Sequence, residues 1–323
     1  MRTRVELRAP AKINLGLALV GLRADGYHLL ESVFAPIALY DELVLEVGSA
    51  TPPGHGGAAG DEGEIVLVCG PPLDPGLPVA VGQVPDGPDN LAWRAARLFR
   101  DRAGIRAPIR IALRKGIPAG AGLGGGSSDA AAVLEGMRRL TGASVVDAEL
   151  ARWALDLGAD VPFFLARGPA FVAGIGERIA PLPGLPSLPI VLVNPGKTLA
   201  TADVYREADR LGAALTKERA GSTMRALSGL TQNVRDVVPA LRDLLINDLE
   251  PAARRLCPAV AQVADRLDRA GAVAVSLTGS GATVFGVFAS QSEAERAAAR
   301  IADDDAGGGP ERCWVRATRT LAS

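Results

Sequence analysis

Between residues 5 and 20 apolar side chains recur at alternate positions, Val5 and Leu7, then Ile13, Leu15, Leu17 and Leu19. That is the period of strands with one buried face. The same period sets Lys12 and Asn14 side by side on one face of the strand. Shorter apolar runs predict strands at 43–47, 64–68 and 109–113, and the Gly/Pro-rich stretch 69–88 reads as a long surface loop. Helical spacing begins after Asn90, which is placed to cap a stripe of Leu91, Ala95, Leu98 and Phe99. A second helix carries Val133, Met137 and Leu140 behind a cap at Ser127 or Ser128, and a third covers 147–157.

Four prolines between positions 181 and 189 mark the best boundary, dividing the chain into units of 1–180 and 181–323. The second unit predicts a strand at 190–194, helices at 202–211 and 260–270, strands at 273–278 and 283–288, a helix at 293–301 and a strand at 314–318. Strands and helices mix without a strict alternation, so two α+β domains fit better than a doubly wound sheet.

Composition narrows the classes. A chain of 323 residues with 48% hydrophobic and 22% charged residues can bury a core and is not a disordered protein. A net charge of −1 supplies no overall basic field for nucleic acid or an anionic membrane. Three cysteines without paired spacing and only two histidines, His28 and His55, argue against a zinc site and fit a reducing, cytoplasmic setting. No apolar leader and no membrane-length apolar run is visible, so a soluble, unprocessed protein is expected. The acids at 303–305 beside glycines 307–309 read as a solvated surface loop.

The most informative segment is Pro118-Ala119-Gly120-Ala121-Gly122-Leu123-Gly124-Gly125-Gly126-Ser127-Ser128-Asp129, leading into a helix. Without Cβ atoms, successive backbone N–H groups can turn toward one anion, and a helix start adds its free N–H groups. This predicts a phosphate cradle rather than a merely flexible loop. The run also fits the dinucleotide pattern G-x-G-x-x-G, but Lys115-Gly116-Ile117-Pro118 intervenes between the strand and the first glycine of the run. No Lys-Ser or Lys-Thr follows at the spacing of a Walker loop.

With Pro10-Ala11-Lys12-Ile13-Asn14-Leu15 before it and Leu277-Thr278-Gly279-Ser280-Gly281-Ala282-Thr283-Val284-Phe285 after it, this loop resembles the three ordered motifs of the GHMP kinase superfamily. The resemblance implies an ATP-dependent small-molecule kinase. Its fold would be a first domain like the second domain of ribosomal protein S5 and a ferredoxin-like second domain, with the final strand, 314–323, free to return to the first. Four further segments narrow the likeness: Arg23-Ala24-Asp25-Gly26-Tyr27-His28, Asp89-Asn90-Leu91, Leu157-Gly158-Ala159-Asp160-Val161-Pro162 and Thr201-Ala202-Asp203-Val204-Tyr205. They imply, as substrate, a cytidine-diphosphate-linked methylerythritol of the non-mevalonate isoprenoid route, phosphorylated on its 2-hydroxyl.

By the same resemblance Asp160 is the general base and Lys12 its partner, against the default readings of a capping Asp and a surface lysine. Asn14 would bind substrate or join the same network. Tyr27 and Tyr205 would cover the two faces of the cytosine and His28 would read its edge, although the family often carries Phe at the position of Tyr205. Thr201 reads as a substrate contact, a helix cap, or both. ATP would sit against Asn90, Lys115, Pro118, Gly120, Gly122, Gly124, Gly125, Gly126, Ser127 and Ser128. Mg²⁺ follows from ATP chemistry alone, with no ligand residues assigned. Other kinases of the superfamily, acting on mevalonate-, homoserine- or sugar-type substrates, stand as the alternative, with a dinucleotide-binding oxidoreductase behind them. Neither nucleic acid nor membrane is implied as a partner, and the oligomeric state is not legible.

Overall fold

The computed structural model describes residues 3–48, 64–77, 84–212, 241–242, 245–306 and 312–322. The opening alternation becomes β1 (Arg4–Leu22), paired antiparallel along nearly its whole length with β2 (His28–Val47). Only 43–47 of β2 is marked in the sequence, and the reason is local. The pairing slips between Pro10 and Ala11 and again between Asn14 and Leu17, and each bulge changes what the same parity of residues faces. Val5, Leu7 and Ala9 pack among helices, Ala11, Ile13 and Leu15 join a central cluster, and Leu17 and Leu19 join a third. The expectation of one buried and one open face is therefore corrected: Lys12 and Asn14 are buried too.

β1 takes one edge of β2, leaving the other for β4 (Ile109–Arg114) at 42–47 and β5 (Ala170–Gly174) at 30–34. With β3 (Ile65–Cys69) beside β4 and β6 (Arg178–Pro181) beside β5, the first sheet has six strands. Three helices, α1 (Leu91–Ala103), α2 (Gly125–Thr141) and α3 (Asp147–Leu157), lie over it around Phe99, Met137 and Trp153. A short α4 (Val161–Ala166) follows.

The second sheet contains β7 (Pro189–Asn194), β8 (Ala274–Leu277), β9 (Val284–Val287) and β10 (Trp314–Arg319), in the order β10-β7-β9-β8. Helices α5 (Thr201–Arg210), α6 (Glu250–Leu256), α7 (Ala259–Arg269) and α8 (Gln291–Ala306) pack with it. The sheets share the central cluster, where Ile13 and Ile37 meet Ile190, Leu192 and Phe285. Leu182, Leu185 and Leu188 sink into the same cluster, so the proline-rich segment is a packed crossing rather than a loose tether. Past the end of β10, Thr320 bridges to Ile37 and the Leu321 N–H donates to the Pro36 carbonyl.

Two expectations need further correction. Helix α2 starts at Gly125 with Gly124, at φ 71°, as its cap, so Ser127 and Ser128 lie inside the first turn and do not cap it. The acids at 303 and 304 are exposed on the last turns of α8, not in a loop. His55, residues 78–83 of the Gly/Pro-rich run and glycines 307–309 lie outside the described residues, as does the side chain at 305. No helix among the described residues is long and apolar enough to cross a membrane.

Candidate active site

Asn14 is held on β1 just ahead of a bulge in which Gly16 adopts φ 89°. Its Oδ1 accepts from Lys12 Nζ at 2.7 Å and from the Gly279 N–H at 2.8 Å, while its Nδ2 donates to Ser32 Oγ at 2.9 Å. The Asn14 backbone N–H donates to Thr278 Oγ1 at 3.2 Å. One amide thus aims the lysine and ties β1 to the glycine turn 264 residues away. Lys12 Nζ lies 3.7 Å from Asp160 Oδ2 and 4.7 Å from the centre of the Phe34 ring. Burial lowers the Lys12 pKa, and Asp160 opposes that shift.

Asp160 stands immediately before α4, yet its side chain makes no cap bond. The capping alternative is thereby set aside, and its carboxylate, 33% exposed, faces the lysine at the mouth of a cleft. That cleft, of about 510 Å³, is lined by Lys12, Asn14, Asn90, Lys115, Pro118, Ser127, Asp160, Thr201, Tyr205 and the glycines Gly120, Gly122, Gly124, Gly125 and Gly126. Gly120, Gly122 and Gly124 all have φ between 63° and 78°, a region costly to residues with a Cβ. Space demands glycine as well. A Cβ on Gly122 would come within 2.3 Å of the Thr278 carbonyl oxygen, and one on Gly124 within 3.1 Å of Lys12 Cγ.

The expected residues outside or behind the cleft are equally informative. Ser128 is buried behind the loop, and its Oγ has no hydrogen-bond partner among the described residues. Tyr27 is 61% exposed, with the Arg23 guanidinium 5.4 Å from its ring centre. His28, at the start of β2, packs its ring 5.0 Å from that of Tyr205 and brings Nε2 to 2.7 Å from Asp209 Oδ1. Neither Tyr27 nor His28 lines the cleft. Burial, with a smaller push from Asp160, raises the Tyr205 hydroxyl to about 12, so this ring stays neutral.

Asn90 caps α1 as expected, its Oδ1 accepting from the Ala92 N–H at 2.9 Å, and its Nδ2 donates to the Pro85 carbonyl at 2.7 Å. Thr201 is not the cap of α5; Ala200 is, and Thr201 Oγ1 lies 3.0 Å from Ser280 Oγ. Lys115 is engaged by two carboxylates, Asp41 and Asp129, whose attraction outweighs burial and raises its pKa. Asp41 escapes sequence reasoning because a single acid beside Tyr40 looks like a strand end, and nothing local says that it is enclosed. Among the described residues no group of three or more His, Cys, Asp or Glu side chains could hold a metal ion. A larger hollow, of about 1350 Å³, lies behind α4, where Arg138, Arg139 and Arg167 already share Glu135.

A glycine cradle opposite a buried lysine and a partly exposed aspartate is the layout of an enzyme that moves phosphoryl groups between small molecules. Sequence families agree: GHMP kinases N terminal domain matches residues 90–168 and GHMP kinases C terminal matches 219–305, and the chain belongs to the GHMP kinases. A 4-diphosphocytidyl-2-C-methyl-D-erythritol kinase of Citrifermentans bemidjiense is 40% identical over 301 residues, covering 93% of this chain and 95% of that protein. The crystal structure of a 4-(cytidine 5'-diphospho)-2C-methyl-D-erythritol kinase superposes with a TM-score of 0.71 at 36% identity, covering 98% of this chain and all of that one. A homoserine kinase from Cytophaga hutchinsonii, 20% identical over 99% of this chain and 96% of its own, reaches a TM-score of 0.69 and shares the fold.

Proposed function

We propose that this kinase transfers the γ-phosphoryl group of ATP to the 2-hydroxyl of 4-diphosphocytidyl-2-C-methyl-D-erythritol. The observation that carries the reading is the 3.7 Å approach of Lys12 to Asp160 directly beside Gly124, where the glycine loop turns into α2. The N–H groups of residues 120–126 and of the first turn of α2 would hold the phosphates. Asp160 takes the hydroxyl proton as the oxygen attacks. Lys12, kept a donor by Asn14, orients that carboxylate and offsets charge on the transferring group. Thr201 and Ser280 offer hydroxyls to the acceptor side of the cleft.

For the base of the acceptor, Tyr205 supplies one half-buried ring, tilted against that of His28. A sandwich between Tyr27 and Tyr205 requires the exposed Tyr27 ring to turn inward on binding. Among the described residues no carboxylate cage could hold Mg²⁺; the ion would arrive on the nucleotide phosphates. The test is ADP release with ATP and an acceptor panel containing the cytidine-linked methylerythritol, mevalonate, homoserine and a hexose. Turnover confined to the first is expected. Turnover on another acceptor with none on the first would overturn the assignment.

A further inference from the structure

Asp41 lies on β2, fully buried, beneath a loop that begins 74 residues later in the chain. Its Oδ1 accepts from the N–H groups of both Gly116 and Ile117, at 2.7 and 2.9 Å. Its Oδ2 accepts from Lys115 Nζ, which also donates to Asp129 Oδ2 on α2 at 2.9 Å. Gly116 lies so close to β2 that a Cβ would stand 2.3 Å from the Tyr40 carbonyl oxygen, and a Cβ on Gly125 would stand 3.3 Å from Asp41 Oδ2. The start of the glycine loop and the start of the helix that follows it thus converge on one carboxylate.

We propose that Asp41 is a positioning residue that presets the start of the glycine loop and so sets nucleotide affinity; this rests on the loop being the seat of the ATP phosphates. Charge alone argues the other way. Two carboxylates share one ammonium under a helix N-terminus, which leaves excess negative charge where an anion is to bind. What Asp41 contributes is geometry, because one oxygen fixes two consecutive N–H groups and the other fixes the ammonium that reaches α2. Asp129 is the weaker member, since its Oδ1 has no hydrogen-bond partner among the described residues. A carboxylate whose two oxygens are both occupied is the anchor, and a loop set in advance spares bound nucleotide the cost of ordering it.

Asp41→Asn separates the two effects, because it removes the adverse charge and also breaks the hold on Lys115. With the full chain, calorimetric titration of ADP should show affinity about tenfold weaker, while the KM of the acceptor stays within about twofold of the parent. Unchanged or tighter ADP binding would overturn the proposal, as would equal losses for both ligands that track a fall in Tm. Should Asp41→Asn fail to fold, hydrogen exchange of the unsubstituted protein decides. The Gly116 and Ile117 amides should be protected before ADP is added; protection that appears only with ADP would show that the loop is not preset. A parent protein that binds ADP and turns over ATP while failing these tests overturns the role of Asp41 alone, whereas one that does neither overturns the kinase reading beneath it.

Discussion

Replacing Gly124 by alanine perturbs the site directly beside Lys12, and the cost divides into two parts. The backbone there has φ 71°, so any L side chain pays about 1–2 kcal/mol in strain. On a scale of ~2–4 °C per kcal/mol, Tm should fall by a few degrees. The second part is positional. The new Cβ would lie 3.0 Å from Phe164 Cζ and 3.1 Å from Lys12 Cγ, so the lysine must give by a few tenths of an ångström. Because a 1 Å misplacement can cost ~10²-fold, a shift of that size should lower kcat by roughly tenfold. Gly142 supplies the control: it has φ 67° at the far end of the same helix, with nothing within 4 Å of its Cβ position. Gly142→Ala should therefore lose similar stability and keep its turnover. The assay is ADP release at saturating ATP and acceptor, beside thermal melts of both variants. If folded Gly124→Ala turns over like the parent, or if both variants lose turnover alike, Lys12 is not the part that Gly124 protects.

Asp160→Asn should fold and bind ADP within about twofold of the parent, with any loss of Tm coming from the Lys12 pair, while kcat drops ~10²-fold or more; a near-normal kcat removes Asp160 from the chemistry. Tyr205→Ala should weaken acceptor binding by about 1–3 kcal/mol while Tyr205→Phe largely preserves it, and an alanine variant that only melts early would mark the ring as core. Burial and the Asp41 charge raise the Asp129 pKa to about 7 against the pull of Lys115. A carboxyl raised on folding costs stability as it ionises, so the penalty grows from about pH 4 to pH 7 and is complete above that. The Tm of Asp129→Asn minus that of the parent should climb over this window, and a flat difference between pH 4 and 8 refutes the linkage.

Much of this site was legible where local chemistry dictates it. The span of α3, 147–157, follows from apolar spacing alone, and the parity of β1 places Lys12 beside Asn14. Glycines at 120, 122 and 124 announce a turn that other residues could not make. What stayed hidden depends on partners distant in the chain. The first half of β2 lacks a clean period because bulges redirect its faces. Thr278 and Gly279 meet Asn14 only once both sheets are in place, and Asp41 acquires its meaning from Lys115. The serines at 127 and 128 look like caps, but the glycine at 124 reaches the required turn first and leaves them within the helix.

The most direct measurement is phosphorus NMR of the product formed from ATP and 4-diphosphocytidyl-2-C-methyl-D-erythritol. One new phosphomonoester on the 2-hydroxyl, an intact cytidine diphosphate linkage and one ADP per product are expected. Phosphate on another hydroxyl, a cleaved diphosphate, or ADP released with the acceptor unchanged would contradict the assignment of Lys12, Asp160 and the glycine loop to this transfer.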